Sequence, residues 1–255
     1  MIKISAVLIA RNEEKKIEKC LEGIKWCDEI IFIDQSSQDK TVDIAKRYTD
    51  KIFVTNPKGI CNPDRNFGIS KAENDWILII EADEVVCEDL RREISEVLSQ
   101  NKADIFYLPV KTFFSGRWIK TCGWYPGYIP RLFRKGSVIF EEDIHTNGIF
   151  KTDKIGYLKN DLLHYSYDDI NEWMEKFKRY TDRYALEYYK KGLKPSLILS
   201  VKEILVRPLY FFLLKYFWLK GFKDGWRGFF ISLSSALTVM FSYFKFLEIY
   251  EKNNL

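Results

Sequence analysis

Apolar runs and helical spacings alternate along the first hundred residues. Ile2 to Ala10 is a short, nearly uninterrupted apolar run of the buried-strand kind, and the stretch from Glu13 to Ile24 carries Ile17, Leu21 and Ile24 at i, i+4 and i+7, the spacing of a helix with one buried face. Ile30 to Ile33 reads as a second strand ending in Asp34. The polar turn from Asp34 to Asp39 leads into a helix from about Thr41 to Tyr48, started by hydroxyl and acidic side chains. Lys51 to Val54 predicts a third strand, Asn62 to Lys71 a helix, and Trp76 to Ile80 a fourth, wholly apolar strand running into Glu81-Ala82-Asp83-Glu84. Strands alternating with helices imply right-handed crossovers and a mostly parallel sheet covered on both faces, an α/β fold.

Beyond Leu98 the pattern changes. Ile105 to Lys111 and Val138 to Phe140 read as strands separated by a Gly-, Pro- and aromatic-rich loop from Phe114 to Pro130. Residues 169–191 have the spacing of an amphipathic helix, stopped by Gly192 and Pro195. From Leu197 to Glu251 the chain is expected to be mostly helical and apolar on at least one side, with a break near Gly221 to Gly228. The division expected from this is a body of residues 1–196 and a helical extension of residues 197–255.

Charge sharpens that division. Lys and Arg number 40 against 36 Asp and Glu, a net +4 that is too small to argue for a nucleic-acid partner. The extension holds eight basic and four acidic residues, so the whole excess lies there, together with 15 of the 41 aromatics. Such a basic, aromatic surface suits an anionic membrane, the competing expectation being packing against the body. If it holds the protein to membranes, removing the residues after Leu197 should release it. The longest uncharged run, Gly228 to Phe244, reaches only the lower limit for spanning a bilayer and carries several hydroxyls, so it is not read as a span. Five cysteines, an odd number without a CxxC pair, suit free thiols in a reducing cytosol. The N-terminus reads directly as a strand, so no signal peptide is expected. The expected location is cytoplasmic, peripheral at the inner face of the cytoplasmic membrane.

In an open parallel sheet ligands bind beyond the carboxyl ends of the strands. Those positions here are Ala10-Arg11-Asn12-Glu13-Glu14 after the first strand, the turn Asp34 to Asp39 after the second, and Glu81 to Glu84 after the fourth. Carboxylates converging from three strand ends repel one another, and a hard cation carrying a phosphate-containing ligand, such as a nucleotide diphosphate, compensates them. No GxGxxG follows the first strand and no GxxxxGK[ST] occurs, which sets aside dinucleotide-binding and P-loop chemistry.

The segments Ser5 to Glu14, Ile33 to Thr41, Arg65-Asn66-Phe67-Gly68 and Trp76 to Glu84 together resemble the family 2 inverting glycosyltransferases of GT-A fold. Pro130-Arg131-Leu132-Phe133-Arg134, Leu162 to Tyr167 and Gly221 to Gly225 are similar to segments of the bacterial lipopolysaccharide core branch of that family. The resemblance implies a GT-A-like body in which Ala10, Asn12, Glu13, Asp34, Arg65, Glu81, Ala82 and Asp83 line the donor site. Asp83 would hold a divalent metal, Mg2+ or Mn2+, that bridges the diphosphate. Glu81 stands where the family's DxD-like motif usually has Asp, keeping the charge but moving the carboxylate by one methylene. Arg65 follows Asp64 where the family often has Gln.

Inverting transfer needs a carboxylate to take the acceptor proton from the face opposite the leaving group. The candidates lie in Glu141-Glu142-Asp143-Ile144-His145, with Asp143 preferred, Glu142 behind it and His145 beside them. Where many relatives have an acid after the histidine, Thr146 stands here. His164 is read either as a further metal ligand or as a packed residue. Arg131 and Arg134 flank Leu132 and Phe133 and are expected on one strand face, for phosphate or acceptor contact or for a structural ion pair. Trp124, with Trp118 and Tyr125 near it, either stacks on an acceptor sugar or closes a core.

The expected reaction is metal-dependent, inverting transfer of a sugar from a nucleotide donor, expected to be UDP-linked, to a glycan or glycolipid acceptor such as lipopolysaccharide core. A sugar nucleotidyltransferase would share the sheet and the metal acids but ordinarily needs a Gly-rich basic loop after the first strand. A catalytically inactive sugar-nucleotide or lipid-binding protein is the rival of another class, made conceivable by Glu81 and Thr146.

Overall fold

A computed structural model describes residues 2–57, 61–141 and 148–254. The chain divides into two compact units, Met1–Lys111 with Gly127–His164, and Thr112–Pro126 with Tyr165–Leu255. The elements run Ile4–Ala10 (β1), Ile17–Ile24 (α1), Glu29–Asp34 (β2), Thr41–Ala45 (α2), Ile52–Val54 (β3), Asn62–Lys71 (α3) and Trp76–Glu81 (β4). Glu84–Val86 (β5), Glu88–Gln100 (α4), Ile105–Phe114 (β6), Arg117–Trp118 (β7), Gly127–Arg134 (β8) and Val138–Ile139 (β9) follow. Ile149–Phe150 (β10), Ile155–Tyr157 (β11) and Leu162–Tyr167 (β12) complete the strands.

The main sheet has the order β3-β2-β1-β4-β8-β6-β12-β5. It is mixed rather than mostly parallel. β1 is parallel to β2 and β4, and β2 to β3, whereas β8 runs antiparallel to β4 and β6, and β12 antiparallel to β5. The parallel run β3-β2-β1-β4 is the part whose strands are linked through helices, while the short β11 also pairs parallel, with β6. β8 begins where the sequence predicted a loop, pairing back on β6 after a short return.

In the first unit every residue of β1 is buried, and its side chains alternate between two apolar layers. Ala6 and Leu8 meet Ile17, Leu21 and Ile24 of α1, together with Leu90 and Ile94 of α4, while Val7 and Ile9 face a second cluster that includes Ile69 of α3. Helix α3 can lie this close because of Gly68, where a Cβ would stand 2.4 Å from a methyl of Val7. That approach fixes Arg65 one turn earlier on the same helix.

In the second unit a long helix, Ile170–Lys190 (α5), is capped by Asp169, whose carboxylate accepts from the Glu172 amide at 2.9 Å. Then come Leu197–Val201 (α6), a π-helical turn at Lys202–Val206, Arg207–Leu213 (α7), a second π-helical turn at Leu214–Trp218, a 3-10 turn at Gly221–Asp224, and Gly225–Asn254 (α8). The predicted break therefore lies at Gly221–Asp224. Asp224 is buried and its Oδ2 accepts from the amides of Lys120 and Thr121, both at 3.0 Å, and from the Thr121 hydroxyl at 2.6 Å.

Helix α5 belongs with the extension rather than with the body, unlike the 196/197 division expected from sequence. Lys245 of α8 donates to Thr181 Oγ1 and Asp182 Oδ1 of α5 at 2.8 and 2.6 Å, and Ala185, Tyr188, Tyr243 and Phe246 share one cluster. The run 221–254 is long and apolar enough, by length and composition, to cross a membrane. Within its unit it packs along one face only, with buried Ser232, Ser234 and Ser242 hydroxyls bonded to carbonyls four residues earlier.

Candidate active site

The carboxyl ends of β1, β2 and β4 lie side by side in register, Ala10 opposite Asp34 and Ile9 opposite Glu81. Ala10 is buried and its carbonyl accepts from the Gln35 amide at 2.9 Å. Asn12 adopts a left-handed conformation (φ 55°), which Asn tolerates better than most residues. From there its amide donates to Ser37 Oγ at 2.9 Å and its Oδ1 accepts from the Gln38 amide at 2.8 Å. The Glu13 amide donates to Thr41 Oγ1 at 2.8 Å. These bonds hold the loops after β1 and β2 to each other.

Asp34 is buried at the end of β2. Its Oδ2 accepts from the Ser37 amide at 3.0 Å, while its Oδ1 has no hydrogen-bond partner among the described residues. Thr55, directly after β3, donates its amide to the Asp34 carbonyl at 2.8 Å, and its buried hydroxyl is likewise without a partner among the described residues. Two buried polar atoms left unpaired at neighbouring strand ends are costly unless something else completes them. Thr55 was not among the residues singled out from sequence. The rule that found Asp34, the first polar residue after an apolar run, would have found it had it been applied to the short third strand.

At the end of β4, Glu81 binds two arginines through one oxygen. Arg65 Nη2 donates to Oε1 at 2.7 Å and Arg131 Nη2 at 2.8 Å, and Arg131 also donates to Oε1 of the buried Glu84 at 2.6 Å. Glu84 Oε2 in turn accepts from the Glu81 amide at 2.9 Å. Burial would raise the Glu81 carboxyl, but Arg131 and then Arg65 outweigh it and hold it far below the usual carboxylate range. Glu84 goes the other way: burial pushes it up, against the pull of Arg131 and with the charge of Glu81. Ala82 is buried between them in sequence.

Asp83 faces His164 of β12, with Oδ2 3.3 Å from Nε2. Burial alone would depress the imidazole. The charge and hydrogen bond of Asp83 reverse this and raise it above its ordinary value, with Glu84 and Glu81 adding to the effect. Glu81, Asp83 and His164 each offer a ligand atom, all within 4.8 Å of one another. Two carboxylates and an imidazole are a donor set that fits a divalent cation.

Arg131 and Arg134 do not share a strand face. Residues three apart in a strand point to opposite sides, and a bulge intervenes: Phe106 pairs with Leu132 and Tyr107 with Pro130, so Arg131 is the extra residue. The bulge sits at the arginine that reaches Glu81 and Glu84. Arg134 is turned elsewhere, donating to Asp104 Oδ1 at 3.0 Å and covering the Trp76 ring. Trp124 belongs to the second unit, packed with Phe114, Ile119, Cys122 and Ile231 and 6.3 Å from the Tyr167 ring. Asp143, Glu142 and His145 lie outside the described residues. The strand leading to them is anchored to α3, with Asn66 Nδ2 donating to the Phe140 carbonyl at 2.6 Å and Asn62 Nδ2 to that of Glu141 at 2.8 Å.

A profile of the family described as Glycosyl transferase family 2 matches residues 5–159. An "Uncharacterized glycosyltransferase" of Rickettsia bellii is 30% identical over 260 residues, covering 97% of this chain and 85% of the relative. The lipopolysaccharide core biosynthesis glycosyltransferase LpsC of Rhizobium meliloti is 25% identical over 268 residues, covering 99% and 93%. Among solved structures, S. aureus TarS 1-349 in complex with UDP aligns with a TM-score of 0.52 at 15% identity, over 99% of this chain and 92% of that one. The same protein in complex with UDP-GlcNAc gives 0.51 at 13% identity over the same shares. The structural likeness is one of fold.

Proposed function

The chain belongs to glycosyl transferase family 2, and from that premise we propose that it moves a sugar, with inversion, from a UDP-linked donor to a cell-envelope glycan or glycolipid. The observation that carries this reading is the strand-end cluster of Asp83, His164 and Glu81 on the same sheet edge as the half-paired Asp34 and Thr55. Asp34 Oδ1 and Thr55 Oγ1 offer an acceptor and a hydroxyl suited to a nucleobase. Glu13, with Asn12 and Ala10, shapes the loop beside them. The acceptor class is suggested by the name of LpsC and the donor class by the ligands of TarS.

Asp83 and His164, with Glu81 beside them, would hold Mg2+ or Mn2+, and when bound such a cation neutralises the departing diphosphate. Arg65 and Arg131 fix the Glu81 carboxylate. Arg131 is thereby a positioning residue, and its ion pairs favour the structural role over contact with acceptor or phosphate. Asp143, with Glu142 as alternative and His145 nearby, is the proposed base for the acceptor hydroxyl on the strength of the sequence resemblance. Cytoplasmic location with peripheral attachment to the inner membrane face completes the reading.

Turnover of UDP-sugars by the purified chain with Mn2+ tests it. Asp83→Ala and metal chelation are each expected to lower turnover by about a hundredfold or more, and undiminished turnover in the variant would overturn the metal assignment. The occupation of Glu81 Oε1 by two guanidinium groups favours, as a second reading, a protein that binds the nucleotide without turnover. Calorimetry showing Mn2+-dependent UDP binding, with no transfer to any of a range of acceptors, would select it.

A further inference from the structure

Within the second unit, the helical run 197–218 and α8 leave an open groove of about 400 Å3 whose nine lining side chains are all apolar. Leu205, Pro208, Leu209 and Phe212 form one wall, and Leu237 and Met240 stand on the other. The wall is built around Pro208, which supplies no backbone N–H, and the turn before it is π-helical, as is the one at Leu214–Trp218. The same helical segments expose further apolar side chains: Leu197 and Ile198 are more than 80% exposed, Trp218 is 80% exposed, and Phe217, Trp226 and Phe229 are exposed too. Patches of this kind mark membrane or partner surfaces.

The charges on the same surface are sorted. Both acids between residues 197 and 247 are buried, Glu203 by Tyr188 and Arg207, and Asp224 by the Lys120 and Thr121 amides. Lys202, Lys220 and Lys223 remain exposed. Among the described residues of that stretch, the exposed ionised side chains are therefore all positive. A second copy docking the same face about a two-fold axis would bring lysines against lysines. An anionic lipid surface meets both features at once, headgroups for the lysines and hydrocarbon for the groove, where water finds no polar partner.

We propose that this groove binds one acyl chain of an anionic membrane phospholipid, seating residues 197–240 in the bilayer interface. The inference deepens the membrane attachment of the proposed function, and its test needs neither sugar donor nor acceptor, so each can fail while the other stands. The full chain is floated with phosphatidylcholine vesicles with and without phosphatidylglycerol. It is then irradiated with phosphatidylglycerol carrying a photoreactive group in its acyl chain, and the adducts are mapped by mass spectrometry.

Flotation is expected with phosphatidylglycerol, with adducts in residues 204–212 and 233–240. Leu205→Ser with Leu209→Ser, at exposed positions whose replacement should leave the melting temperature unchanged, is expected to weaken binding by about tenfold or more. Lys202→Glu with Lys220→Glu and Lys223→Glu should remove the preference for phosphatidylglycerol. Adducts outside the groove, or flotation of the Leu205/Leu209 variant equal to that of the native chain, would overturn the proposal. So would a lipid-free dimer closed over the groove, or labelling by a glycolipid acceptor and not by phosphatidylglycerol.

Discussion

Arg131 is the counter-charge of a carboxylate that has no access to water: Glu84 is fully buried and Arg131 nearly so. Removing one partner of a buried pair costs more than the pair contributes, so Arg131→Leu is expected to lower stability by about 3 kcal/mol or more at neutral pH. The sign with pH follows from Glu84. Its folded-state carboxyl already lies above the ordinary value, through burial first, and loses the opposing pull of Arg131 in the variant. A group raised in the folded state keeps its contribution below its unfolded pKa of about 4.3 and loses it as pH rises through the folded value. The Arg131→Leu deficit should therefore grow from pH 4 to pH 7, and adding Glu84→Gln should flatten that slope; urea midpoints at the two pH values check both. A deficit independent of pH would mean that Glu84 stays ionised without its partner. At this scale the strand-end positions of Asp34 and Glu81 were legible because each follows an apolar run, with Asp83 two residues further on. The placement of Arg131 was not, since a bulge changes which way a strand residue points without leaving a mark in hydrophobic periodicity.

The Gly221 to Gly228 stretch, where the sequence predicts a break, proves to be a close backbone crossing. A Cβ on Gly228, in the first turn of α8, would stand 1.8 Å from the Gly221 carbonyl oxygen, and one on Gly221 would meet the Lys215 carbonyl at 2.8 Å. Backbone cannot rotate away as a side chain can, so Gly228→Ala must separate the 3-10 turn from α8. The turn carries Asp224, whose bonds to Lys120 and Thr121 would be strained with it. A loss of about 3 kcal/mol or more is expected, at or above the upper end for overpacking, read as a fall of several degrees in the thermal midpoint. An unchanged midpoint would show that the crossing relaxes freely. Elements with strong spacing, β1 and α5, were legible almost to their ends. Strand direction was not, because periodicity reports which face is buried and not which neighbour pairs, so the first half of β8 read as loop and the sheet as mostly parallel. The π-helical turns were equally hidden, since their residues keep an apolar helical composition.

Charge and aromatic content marked residues 197–255 as distinct, but distinct composition is not an independent fold. Ala185, fully buried on α5, packs with Tyr243 and Phe246, and Lys245 bonds Thr181 and Asp182. Cys122 and Thr121, from the 112–126 excursion, bond Gly228 and Asp224. The second unit is thus assembled from two separate stretches of chain, Thr112–Pro126 and Tyr165–Leu255, and a sequence reading that proceeds by contiguous segments has no signal for such an assembly. It follows that cutting after residue 196 does more than remove the proposed membrane-binding surface. It strips the second unit of α8 and exposes the apolar face of α5, whose burial supplies most of a helix's stability in a protein. The truncated chain is expected to lose helical signal beyond the residues removed and to elute from a sizing column as aggregate. A monomeric truncate with α5 still protected from hydrogen exchange would show that the first 196 residues fold alone after all. Surface substitutions, which leave this packing intact, are for that reason the sharper probe of membrane attachment.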